Sequence, residues 1–149
     1  TQLTALVETA IEHMRLPVDK RNGKITLTNE LDSDSVKVDE VHITNAIINL
    51  LDNANKYSET TPDITVSLSQ NAHFHCIAVS DKGMGMDSET QRRIFDKFYR
   101  VTRGNVHNVK GHGIGLSYVK RIVTLHGGQI DVHSKPGTGS TFTIKLPRS

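Results

Sequence analysis

Ile64-Thr-Val-Ser-Leu-Ser69-Gln-Asn-Ala-His-Phe74-His-Cys-Ile-Ala-Val-Ser80 reads as two strands, 64–69 and 74–80, folded into an antiparallel hairpin around Gln70-Asn71-Ala72. A second hairpin, 129–134 with 140–146, turns across Lys135-Pro-Gly-Thr-Gly139. Upstream, Lys24-Ile-Thr-Leu-Thr-Asn29 alternates as a strand does, and a short strand is expected at 36–38 after a polar turn. Helices are expected between these pieces. Leu3, Leu6, Val7, Ala10, Ile11 and Met14 recur at helical spacing until Pro17 closes the segment. Asp39 caps a long helix that ends near Ser58, where Thr60-Thr61-Pro62 breaks it. Residues 87–94 form a short helix, and 115–126 form another that stops at Gly127-Gly128. Residues 100–110 show no period and little apolar content, which reads as a loop. Antiparallel strand pairs with helices between them favour an α+β fold, a two-layer α/β sandwich, over a doubly wound parallel sheet.

The 149 residues suit one domain, 1–149, and the 36% hydrophobic and 23% charged content is that of an ordinary soluble globular protein. Eighteen basic against 16 acidic residues leave a net charge of +2, with no dense Lys/Arg run, so charge gives no argument for nucleic acid as a partner. The single cysteine, Cys76, excludes an internal disulfide and is expected to act as a small core residue. No run is long enough to cross a bilayer, and direct membrane contact is not expected. The chain opens on Thr1 without an initiator methionine, so it is expected to be a domain excised from a longer protein, whose membrane anchoring stays open.

Chemistry concentrates in Asn49-Leu-Leu-Asp52-Asn53-Ala-Asn-Lys56-Tyr57. At about 100° per residue, Asn49, Asn53 and Lys56 fall within a stripe roughly 60° wide, while Ile43, Ile47, Leu50, Leu51 and Ala54 gather on another side. Amide oxygens can ligate a hard cation such as magnesium, and a lysine can offset phosphate charge; a solvated polar face would look the same. Two glycine clusters add to it, Asp81-Lys82-Gly83-Met84-Gly85-Met86 after a strand and Gly111-His112-Gly113-Ile114-Gly115-Leu116 before a helix. Glycines at alternate positions let backbone N–H groups approach an anion, and a helix N-terminus adds the favourable end of its dipole. Either cluster alone would suit a turn. The P-loop, GxGxxG and protein-kinase patterns are absent. Asp81, at the mouth of a hydrophobic strand, can accept from an exocyclic amine such as that of adenine, or cap a turn.

Taken in order, these motifs resemble the catalytic, ATP-binding domain of sensor histidine kinases, in the GHKL superfamily shared with gyrase B, MutL and the heat-shock ATPase chaperones. The N box matches Asn49 to Tyr57, the first glycine box Asp81 to Met86, and the F box Ile94-Phe-Asp-Lys-Phe-Tyr-Arg100. The second glycine box matches Gly111 to Leu116, and Gly137-Thr-Gly-Ser-Thr-Phe142 matches the third. The resemblance implies the Bergerat fold, a mixed, mainly antiparallel sheet packed on one side by about three helices. It implies ATP and Mg²⁺ as cofactors, with Asn53 the main metal ligand and Asn49 assisting. Lys56 would reach the phosphates, Tyr57 would lie along the nucleotide, and Asp81 would take the adenine amine in a pocket shaped by Gly83, Gly85 and Met86. Gly111, His112, Gly113, Ile114, Gly115 and Leu116 would line the phosphate chain, the N–H groups of Gly113, Gly115 and Leu116 holding it. Phe95 and Phe98 would anchor a lid over 101–110, Arg100 would face the terminal phosphate, and Thr141 could touch the base region through water. His112 departs from the small or hydroxyl residue common there.

Asn49 also bears on reaction class. By resemblance, ATPase relatives carry a glutamate at that place to activate water, and an amide cannot be a general base near neutral pH. Transfer to a protein nucleophile is therefore expected over hydrolysis. The acceptor motif, a histidine followed by an acidic residue with proline five positions on, is missing: Met14 follows His13, and Pro17 lies four away. The resemblance accordingly implies an acceptor on an upstream dimerisation domain, a response regulator as next partner, a cytoplasmic location within a membrane-anchored sensor, and little autophosphorylation by this chain alone. A GHKL-type ATPase and a non-enzymatic nucleotide-sensing docking module are the alternatives. His73 and His75 share a strand face without a third ligand, and His126 serves a helix end.

Overall fold

A computed structural model describes residues 1–96 and 115–148. The elements are α1 (Leu3–Asp19), β1 (Lys24–Asn29), α2 (Glu40–Lys56), β2 (Asp63–Gln70), β3 (Phe74–Asp81), α3 (Ser88–Arg93), α4 (Gly115–Leu125), β4 (Gln129–Lys135) and β5 (Gly139–Pro147). The strands form one sheet in the order β1-β2-β3-β5-β4, with β1 parallel to β2 and every other pairing antiparallel. Both expected hairpins are present, and the mixed, mainly antiparallel α+β reading holds.

Burial alternates along the central strands because successive side chains point to opposite faces. Ile64, Val66 and Leu68 of β2, Ile77 and Val79 of β3, and Phe142, Ile144 and Leu146 of β5 all lie on one face. The helices cover that face alone. α2 packs between α1 and α4, and the six-residue α3 lies against β4. α2 buries Ile43, Ala46, Ile47, Leu50, Leu51 and Ala54, each larger aliphatic side chain contributing about 1.5–3 kcal/mol.

Three local expectations change. Pro17 does not close α1, which runs on to Asp19; a proline that late forfeits one intrahelical bond, and burial of Val18 holds the extra turn. Residues 36–38 form no strand. Their neighbour Ser35 makes an isolated bridge to Gln2, after which α1 begins and leaves no partner strand. Cys76 is half-buried on the sheet face away from the helices, opposite Lys145, and is not in the core. His75, by contrast, points into the core, its Nε2–H donating to the Ser33 carbonyl at 2.8 Å, while His73 precedes β3.

Candidate functional site

Asp39 starts α2 by accepting the His42 N–H at 3.0 Å. Along the helix, Asn49 Nδ2 donates to the Asn45 carbonyl at 2.8 Å, which fixes the amide orientation and leaves Oδ1 turned outward. It faces the start of α4: a Cβ on Gly115 would come within 3.0 Å of Oδ1. One turn later Asn53 lines a different space with Tyr57. Lys56 does not follow the stripe. Its ammonium sits 2.9 Å from the Asp52 carboxylate on its own helix, a half-exposed i,i+4 pair worth only tenths of a kcal/mol, about 0.3–0.5.

The first glycine loop folds back on the end of α2. Met84 N–H donates to the Tyr57 carbonyl at 3.3 Å, and Gly83 approaches so closely that a Cβ would lie 2.4 Å from the same oxygen. Gly85 has φ +69°, and a Cβ there would meet the Lys135 carbonyl at 1.9 Å. The β4–β5 turn pins the loop from the other side: Gly137 N–H donates to Met84 O at 2.7 Å, and Met86 N–H to Ser134 Oγ at 2.8 Å. The third glycine box thus builds the floor under the first.

These segments enclose a recess of about 300 Å³, open space included, lined by Asn53, Tyr57, Asp81, Met84, Gly85, Met86, Ile94 and Ser140. Asp81 is its buried acid, 8% exposed, with Oδ1 accepting the Gly83 N–H at 2.8 Å. Burial pushes its carboxyl above the usual range, and the N–H groups of Gly83 and Ser140 pull it partly back. Such a group at the end of an apolar recess suits one directional bond to an amine hydrogen. Next to Ile94, Phe95 packs edge-on against Phe142 at 6.0 Å, with the Lys120 ammonium 5.9 Å above its ring. A second, wider cleft of about 1130 Å³ lies between α2 and α4, lined by residues that include Asn45, Asn49, Gly115 and Arg121. The polar face of α2 therefore runs from the recess at Asn53 to a cleft at Asn49 that the start of α4 borders.

Of the expected site residues, the recess gathers Asn53, Tyr57, Asp81, Gly85 and Met86, with Gly83 in its loop. Asn49 and Gly115 meet at the second cleft, and Leu116 packs half-buried against the core. Thr141 does not join them: opposite Ser80 in register, it faces away from the helices with its Oγ1 2.9 Å from Ser80 Oγ. Ser140 takes the place instead, and its two-residue offset from buried Phe142 is the signal that could have found it. Arg100, Gly111, His112, Gly113, Ile114, Phe98 and the lid 101–110 lie outside the described residues. Among the described residues, no cluster of three or more His, Cys, Asp or Glu side chains could hold a metal. The outward Oδ1 of Asn49 and the Asn53 amide are hard oxygen donors that fit magnesium if phosphates and water complete its shell. His126 does more than end α4. Its Nδ1–H donates to Ile122 O at 2.8 Å, and its Nε2 accepts the Asp39 N–H at 3.0 Å, clipping α4 to the start of α2.

A family model described as histidine kinase-, DNA gyrase B- and HSP90-like ATPase matches residues 38–149. Sensor protein RprX of Bacteroides fragilis (strain YCH46) is 41% identical over 144 residues, 95% of this chain and 28% of that protein. The chain spans 28% and 37% of the first two curated relatives it matches. Among solved structures, the mycobacterial sensor histidine kinase MprB superposes with a TM-score of 0.80 at 25% identity, covering 99% of this chain and 95% of that one. Full-length ShkA in complex with AMPPNP gives 0.85 at 23% identity over 99% of this chain and 30% of that one, a likeness of fold.

Proposed function

The chain belongs to the histidine kinase-, DNA gyrase B- and HSP90-like ATPase family, and from that premise we propose that it binds Mg-ATP and donates the γ-phosphoryl group to a histidine on an upstream helical dimerisation domain. From there the group would pass to an aspartate of a response regulator. One observation carries the reading: a buried carboxylate and Asn53 line an apolar recess, and one helical turn from Asn53 the outward Oδ1 of Asn49 faces the start of α4. In this reading Asp81 accepts from the exocyclic amine of adenine, and Met84, Met86 and Ile94 exclude water from its ring. Asn53 and Asn49 hold Mg²⁺, which when bound offsets the charge of the phosphates. The N–H groups at the start of α4 orient the phosphate chain. Lys56 exchanges Asp52 for phosphate at little cost, the pair being half-exposed.

Asn49 gives the site no general base, because its amide nitrogen is already donating to the Asn45 carbonyl and its oxygen carries no useful basicity. Transfer to an imidazole, itself a nucleophile, needs positioning and charge stabilisation only. No described helix is long and apolar enough to cross a membrane. We place the domain on the cytoplasmic side of a membrane-anchored sensor kinase.

Calorimetric titration with a non-hydrolysable ATP analogue, in Mg²⁺ and in EDTA, tests this. Magnesium-dependent binding that Asp81→Asn abolishes and Asn53→Ala makes insensitive to chelator is the expected result. Equal affinity with and without EDTA in the unmodified chain removes the metal role of the asparagines. Absence of binding in both conditions turns the reading toward a docking module.

A further inference from the structure

We propose that Arg21 is a positioning residue for the base recess, its guanidinium fixing the turn after α2 on which Gly83 and Met84 rest. The inference rests on the nucleotide reading above and deepens it. Its starting point is the convergence of backbone carbonyls on one side chain. Nη1 donates to the Asn55 carbonyl and, at 3.2 Å, to Asn55 Oδ1; Nη2 donates to the carbonyls of Ser58 at 2.5 Å and Thr60 at 3.1 Å.

A helix leaves its last carbonyls without intrahelical partners, and a glycine usually helps to turn the chain there. Tyr57-Ser-Glu-Thr60 has no glycine. Asn53 O takes the Tyr57 N–H at 3.1 Å and Ala54 O takes Ser58 Oγ at 2.8 Å, while the carbonyls of Ser58 and Thr60 depend on Arg21. The guanidinium also brings positive charge to the negative end of the helix dipole, a place that Lys56 leaves by pairing with Asp52. Arg21 is itself anchored. Its N–H and that of Gly23 both donate to Val18 O at 3.0 Å, and Lys24 N–H donates to Pro62 O at 2.9 Å. The α1–β1 corner is thereby backed onto the far end of the same turn.

Tyr57 sits between this clamp and the glycine loop. Its carbonyl accepts the Met84 N–H and abuts Gly83, whose own N–H is bonded to Asp81. Release of the Ser58 and Thr60 carbonyls lets Tyr57 move, and with it the wall of the recess. Asn49, two turns earlier on α2, and Gly115, at the start of α4, are held by other contacts. The clamp therefore acts on the base half of the ligand and spares the phosphate half.

Arg21→Ala and Arg21→Lys test this in the same chain, with Mg-ADP and Mg-tripolyphosphate as probes and amide exchange at Met84 and Ile77 as a readout free of ligand. We expect Arg21→Ala to weaken ADP binding by about tenfold, the low end of what a hydrogen bond to a charged group contributes, with tripolyphosphate affinity unchanged. Met84 should exchange faster and Ile77 at its original rate, and Arg21→Lys, which keeps the charge but loses the fork, should restore only part of both effects. Unaltered ADP affinity and Met84 exchange in Arg21→Ala overturn the proposal. So does an equal loss for both probes with faster exchange at Ile77, which marks a general stabilising role. If the unmodified chain binds neither probe, the nucleotide reading has failed, and the exchange rates still decide whether Arg21 holds the loop.

Discussion

Asp81 ends β3 with its carboxylate 8% exposed, and two backbone N–H groups, from Gly83 and Ser140, only partly offset the loss of water. Its folded pKa is raised above the ordinary 3.8. A raised carboxyl contributes stability in full below the unfolded value, and that contribution is lost as pH rises through the folded value. Once ionised, the group is thus a standing cost to the empty fold, which the proposed bond from an adenine amine would offset. We expect Asp81→Asn to gain thermal stability relative to the unmodified chain as pH climbs from 3.8 to neutrality, while adenine recognition falls. Paired melting curves across that range, without nucleotide, check it. A stability difference that stays flat with pH would show that burial does not perturb this carboxyl. Asp81 was legible in the sequence because a single acid closing an apolar strand is unusual; the Lys56–Asp52 pair was obscured because angular position on a helix does not include the reach of a long side chain.

At the scale of elements, the site is the relation between α2 and α4, and Gly115 shows how closely it is set. At this first position of α4 an alanine would gain less than the roughly 1 kcal/mol it gains in a helix interior, while its methyl would press within 3.0 Å of Asn49 Oδ1, the oxygen turned toward the cleft. Gly115→Ala should therefore leave the melting temperature equal or higher and weaken magnesium-dependent nucleotide binding, a combination that calorimetry and melting measure on one sample. Unchanged affinity would mean that Asn49 is not held where the ligand needs it. The helices and strands themselves were largely readable, since their periods of 3.6 and 2 mark α1, α2, β2 and β3 plainly. What failed was local. Pro17 reads as a stop, yet burial of Val18 carries α1 past it, and residues 36–38 read as a strand, yet the sheet offers them no neighbour. The motif allows Thr141 a water-mediated touch on the base region, whereas strand alternation gives that face to Ser140.

For the molecule as a whole, the proposed transfer raises the question of where the phosphoryl group would go. α2 lies between α1 and α4, so His13, exposed on α1, is on the far side of α2 from the cleft at Asn49 and Gly115. His75 is buried against Ser33, and His126 has both ring nitrogens engaged in the α2–α4 clip. None of these three is presented to the cleft. A nucleophile must come within about 3–3.5 Å of the phosphorus in line with the leaving oxygen, which a rigid side chain across a packed helix cannot do. None of the chain's eight histidines is followed by an acidic residue as the acceptor motif requires, and we expect the chain incubated alone with radiolabelled Mg-ATP to bind nucleotide and acquire no acid-labile phosphate. On the proposed function, label should appear on a separately supplied helical dimerisation segment that carries the acceptor histidine, and His13→Ala should change neither result. Acid-labile label on this chain that His13→Ala removes would put the acceptor on α1 after all, and would require α1 to leave its place beside α2, burying Leu6, Ile11 and Met14 elsewhere. That rearrangement would expose a large part of the helix layer's core, which is the physical reason for expecting the acceptor to arrive from outside.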